Sequence, residues 1–112
     1  MQALNLKRES MLRSLLRDAS LLVAALAEEL SMARGSRATV KVKRLVVKVL
    51  GADIPSAYRS TLRKSLEQCA RTVRDRQGRV WVLAGVEAYT KGSGARLQFY
   101  RLVYVLDGKY SK

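Results

Sequence analysis

Apolar residues recur at Leu12, Leu15, Leu16, Ala19, Leu22, Val23, Leu26 and Leu30, a stripe at helical spacing sustained for about six turns. The spacing predicts one long helix over residues 11–34, closed by Gly35 in a left-handed conformation. Residues 1–10 carry no such pattern and are expected to fray. The stripe broadens at residues 21–27, which are apolar all round. A helix this long exceeds what a small core needs, so its apolar surface serves either that core or a homodimer, with Leu15, Leu22, Leu26 and Leu30 as the dimerisation residues.

Residues 38–50 mix two periods. Thr39, Val40, Lys41, Val42 and Lys43 alternate like a half-buried strand, whereas Leu45, Val46, Val49 and Leu50 recur at helical spacing. The split reading is a short strand over residues 38–43 and a helix over 44–50 that Gly51 closes. The valines oppose it, because β-branched residues are poor helix formers.

Residues 55–75 form a helix with two unlike faces. Tyr58, Leu62, Leu66, Cys69 and Val73 fall in one arc, and Ser60, Arg63, Lys64, Arg71 and Arg74 fall opposite. Pro55 suits the first turn, with Asp53 or Ser56 as cap. Residues 76–78 have turn chemistry. Two runs rich in Val, Trp, Phe and Tyr follow and predict a β-hairpin over residues 79–106, with a small, polar tip flanked by Lys91 and Arg96. Phe99 is expected inside and Tyr100 on the other face. Residues 107–112 are a polar tail.

The chain of 112 residues fits one domain. Charge sharpens the picture: 22 Lys and Arg stand against 9 Asp and Glu, a net +13. Residues 1–34 hold five basic and four acidic side chains, so residues 35–112 carry a net +12. Such an imbalance favours a polyanionic partner, nucleic acid first and an anionic membrane surface second. The single cysteine, Cys69, excludes an internal disulfide, fits a reducing compartment and reads as a small core residue. Without histidine, and with one thiol, no metal site of nitrogen and sulfur is expected. No secretory leader and no stretch of membrane-spanning length is apparent, so the expected location is cytoplasmic.

Catalysis is not expected. After residue 34 the carboxylates are Asp53, Glu67, Asp75, Glu87 and Asp107, with no acidic pair at the short spacing of a metal-dependent nuclease. Gly92, Ser93 and Gly94 lie between strands, where they make a turn rather than a phosphate cradle, so no cofactor is expected. Glu28 and Glu29 read as a solvated face.

The order of long helix, short strand, helix, tight turn, basic helix and hairpin resembles the winged helix-turn-helix family, most specifically over residues 45–66, LVVKVLGADIPSAYRSTLRKSL. The resemblance implies an α+β domain whose second motif helix enters the DNA major groove while the hairpin wing touches the backbone. Carried onto this chain, the groove-facing positions are Ser56, Arg59, Ser60, Arg63 and Lys64, and the wing positions are Lys91 and Arg96. The implied function is non-enzymatic binding of double-stranded DNA, as a transcriptional regulator or accessory factor. Winged helices also serve as protein-interaction subunits, which is an alternative. Residues 21–107 also resemble the Alba chromatin fold, a DNA- and RNA-binding family; there residues 39–50 would be one continuous strand.

Overall fold

The computed structural model describes residues 10, 13–15, 19–51, 54, 58–90 and 98–108. Ser56, Lys91, Arg96, the hairpin tip and the end of the tail lie outside them. Helices pack on one face of a four-stranded antiparallel sheet, an α+β arrangement.

Helix α1 spans Ser20–Ser31 and buries Leu22, Ala25, Leu26 and Leu30. Residues 13–15 are also helical, but Ala19, with ψ of 14°, stands outside α1 as its N-cap, so the single helix expected over residues 11–34 is interrupted. A straight helix of that span would run roughly 36 Å. Leu15, Ala19 and Leu22 still share one core, since their spacing of four and three keeps them on one side of the chain. Glycine does not end α1 either. Met32 and Ala33 donate back to the carbonyls of Glu29 and Leu30, tightening the last turn, and Gly35 takes its positive φ further on, in the loop that leads to the sheet.

Strand β1 covers Arg37–Lys41 and runs without a loop into helix α2, Val42–Leu50. The helix starts two residues earlier than the apolar spacing implied, and the continuous strand of the Alba resemblance is not formed. Val42, Leu45 and Val46 are buried. Burying a valine side chain is worth about 1.5–3 kcal/mol, against a helix-propensity deficit of about 0.7 kcal/mol or less, so packing prevails. Gly51 closes α2 as expected, with φ of 79° and its N–H on the Val47 carbonyl.

Helix α3 spans Arg59–Cys69. It does not reach residue 75: Ala70 leaves helical geometry at φ −121°, ψ 35°, and Thr72–Arg74 form strand β2. Val73, whose position matches the apolar arc of a helix, lies in that strand opposite Trp81. The apolar stripe of α3 therefore ends at Leu66. Cys69, expected in the core, is exposed at the last turn, and Tyr58 is exposed at the first.

Strands β3 (Val80–Thr90) and β4 (Gln98–Leu106) form the long hairpin, and the sheet order is β1-β4-β3-β2. Register pairs Val40 with Leu102, Ala38 with Tyr104 and Trp81 with Leu106, with an irregularity between Leu83 and Gly85. Alternation turns Val40, Val73, Trp81, Leu102 and Tyr104 toward the helices. Arg37, Thr39, Lys41, Arg101 and Val105 turn to the other face.

A polar clasp fastens the sheet to α1. Buried Asp75 accepts from the Gln77 and Arg79 amides, from Arg79 Nε at 2.8 Å and from Trp81 Nε1 at 3.0 Å. Burial pushes this carboxyl up, but the Trp81, Arg79 and Gln77 donors together outweigh it and hold the group below the usual aspartate range. Arg79 Nη2 in turn donates to the carbonyls of Leu30, Ser31 and Ala33, where a cation complements the end of a helix. The fully buried Tyr104 hydroxyl donates to the Ala70 carbonyl at 2.7 Å, and its burial raises the phenol pKa.

Candidate nucleic-acid interface

Helix α3 divides its surface three ways. Leu62 and Leu66 enter the core. Arg59 and Arg63, one turn apart, lean toward β4: the Arg59 guanidinium lies 4.3 Å from the Phe99 ring centroid and that of Arg63 lies 4.8 Å from Tyr100. Arg63 also donates from Nη1 to Glu67 Oε2 at 2.8 Å. Thr61, Lys64 and Gln68, at spacings of three and four, face solvent.

The groove-facing set implied by the winged-helix resemblance is thus only partly brought together. Lys64 is exposed and Ser60 half-buried, whereas Arg59 is buried and Arg63 is partly withdrawn. The reason is the hairpin. Its strands place Phe99 and Tyr100 beside α3, and aromatic faces attract guanidinium groups that a helical wheel assigns to water. Of the two rings, Phe99 is buried as expected and Tyr100 packs on the core from the helix side.

A second group of cations gathers toward the loop end of the hairpin. Tyr89 and Phe99 are register partners with ring centroids 5.6 Å apart at 28°. Arg101 lies 4.1 Å and Lys41 5.7 Å from the Tyr89 centroid, while Lys43 lies 5.5 Å from that of Phe99. Tyr89 Oη and Arg101 Nε are shielded there without a hydrogen-bond partner among the described residues. Sequence reasoning missed Lys41, Lys43 and Arg101. Strand alternation gave the usable signal, since it puts residues 99 and 101 on one face, but the pairing of residue 101 with residue 41 is a long-range fact.

Carboxylates are distributed unevenly. Glu29 bonds Arg44, and Glu28 pairs with Lys48 at 3.2 Å and Arg76 at 3.5 Å, so the acidic pair expected as a free solvated face instead bridges α1 to its neighbours. Asp75 holds Arg79. Lys41, Lys43, Lys64, Arg71 and Arg101 have no carboxylate partner among the described residues; Lys64 and Arg71 lie on and just after α3, and Lys41, Lys43 and Arg101 lie toward the loop end of the hairpin. Lys64, Gln68 and Arg71 also line an open cleft against Leu83.

No family model, curated protein or solved structure matches this chain. The geometry of the chain itself therefore defines the site. Among the described residues no group of three His, Cys, Asp or Glu side chains could hold a metal ion, and no helix is long and apolar enough to cross a membrane. Leu15, Leu22, Leu26 and Leu30, expected as dimerisation residues, are at most 1% exposed and fill the chain's own core. The buried side of α1 is covered by α2, α3 and the sheet, while Leu21 stays exposed.

Proposed function

We propose that this protein binds double-stranded DNA and acts by binding alone, as a transcriptional regulator or accessory factor built on a winged helix-turn-helix. The observation that carries this reading is the solvent face of α3. Thr61, Lys64 and Gln68 form a row of hydrogen-bonding side chains on a helix anchored along its opposite side. A helix about 10–12 Å across fits the major groove, which is about 12 Å wide, and those side-chain types hydrogen-bond to base edges. Lys64, Arg71 and the cations toward the loop end of the hairpin supply the phosphate contacts that give sequence-independent affinity. Helix, strand, helix, helix, short strand and hairpin in that order, with Gly51 turning the chain after α2, support the winged-helix assignment.

Fluorescence anisotropy of a labelled random DNA duplex, titrated at several salt concentrations beside duplex RNA and single-stranded DNA, tests the proposal. The expected result is preference for duplex DNA with affinity that falls steeply as salt rises. Comparable affinity for duplex RNA would move the assignment to RNA. Weak binding to all three at low salt would refute nucleic-acid binding.

A further inference from the structure

Among the described residues the sheet has two edge strands, β1 and the three-residue β2, and β1 is the longer. In the order β1-β4-β3-β2, β1 is bonded on one side only, to β4. The Leu106 amide donates to the Ser36 carbonyl at 2.9 Å, so residues 36, 38 and 40 exchange bonds with β4. Antiparallel alternation then turns the N–H and C=O groups of Arg37 and Thr39 outward. Lys41 also points its N–H outward, while its carbonyl opens α2. No backbone or side-chain group among the described residues pairs with the outward groups of Arg37 and Thr39. They border an open groove of about 630 Å³ between β1 and the end of α1, with Glu29, Met32, Arg34 and Arg44 along its walls, the Glu29 carboxylate being held by Arg44. Met32 is 63% exposed, an apolar side chain left in water at the groove's rim.

We propose that this edge receives an extended acidic segment of a partner protein, which joins the sheet as a fifth strand beside β1. Three features select that occupant. The outward groups alternate donor and acceptor at strand spacing, which an added peptide backbone satisfies and a phosphate chain, having only acceptors, does not. Arg34, Arg37 and Lys41 carry no carboxylate partner among the described residues, so an incoming strand gains from acidic side chains. A second copy of this chain is disfavoured by the same charges, because two β1 strands would bring their arginines and lysines together, and like charges across strands destabilise. The segment that fits alternates acidic residues, which meet Arg37 and Lys41 on the open face of the sheet, with apolar residues toward Met32 and Ala38.

The test uses a fluorescein-labelled peptide of roughly ten residues alternating Glu and Val, beside the same sequence N-methylated at every residue, which keeps the charge and cannot pair. The full-length protein is titrated with each at physiological salt, and backbone amide exchange is followed by NMR. The expected result is affinity at least about tenfold tighter for the unmethylated peptide, with slowed exchange of the Arg37 and Thr39 amides. Thr39→Pro, which removes an outward donor at an edge position that tolerates proline, should abolish the difference. Arg34→Glu with Arg37→Glu, both exposed, should weaken binding while leaving the fold and duplex-DNA affinity through α3 in place. Equal affinity for the two peptides would overturn the proposal, leaving an edge guarded by charge. Displacement of the peptide by duplex DNA, with the same amides protected, would assign the face to nucleic acid. Protection that appears with protein concentration alone would assign it to a second copy.

Discussion

The Arg59 guanidinium sits 4.3 Å from the centre of the Phe99 ring, and Arg59 is 8% exposed. This arginine joins α3 to the hairpin. Replacing Arg59 by Gln removes the cation from the ring and is expected to lower stability by about 1–2 kcal/mol. Duplex affinity of the folded protein should change by less than about threefold, since a guanidinium already stacked on Phe99 does not reach a phosphate. Urea denaturation and anisotropy on the same variant separate the two effects.

Lys64 and Arg71 are expected to behave in the opposite way. Both are exposed and pair with no carboxylate among the described residues, so Lys64→Glu with Arg71→Glu should leave the unfolding free energy in urea within about 0.5 kcal/mol of the parent. Duplex affinity at low salt should fall by about tenfold or more, and the dependence of log K on log salt should flatten by roughly 0.9 for each phosphate no longer neutralised. Unchanged binding would remove α3 from the interface.

Leu26 checks the reassignment of the first helix. Leu26→Ala opens a cavity in the protein's own core and should cost about 2–5 kcal/mol. Sedimentation should give the same oligomeric state for parent and variant at temperatures where both are folded. A change in assembly with little change in stability would restore the dimer reading.

Asp75 sets a pH dependence. Its folded-state pKa lies below the ordinary value of 3.8, so the carboxylate contributes stability that is fully present above that value. The contribution is lost as pH falls from there through the depressed folded pKa. Asp75→Asn should cost about 3–5 kcal/mol at neutral pH, because Arg79 and Trp81 lose their charged acceptor. Its stability should also fall less steeply below about pH 4 than that of the parent. Thermal unfolding of both proteins across the acid range reads this directly.

The parts of the fold that were legible in the sequence are those set by local pattern. Apolar spacing located α1, α2 and α3, the glycine at residue 51 marked a turn, and aromatic and β-branched runs marked the hairpin. What escaped depends on distant partners. Thr72, Val73 and Arg74 continue a helical arc until β3 offers them hydrogen bonds, and Ala19 keeps its place in the apolar stripe although its backbone leaves helical geometry. The same holds for the candidate site. Lys64 was found by helical spacing alone, but the fate of Arg59 and Arg63 depended on Phe99 and Tyr100, some forty residues away. Nor does composition reveal which cations carboxylates hold: Glu28 and Glu29 lie far in sequence from Arg44, Lys48 and Arg76.

The place of β4 in the sheet also orders events on the ribosome. The last of the four strands to be synthesised lies between β1 and β3, so β1 waits for residues 98–106 before any strand can pair with it. Until they emerge, the nascent chain holds helices that can collapse together and strand sequences with unused edges, including the aromatic run around Trp81. Addition of β4 between β1 and β3 completes the sheet and brings Leu102 and Tyr104 into the core.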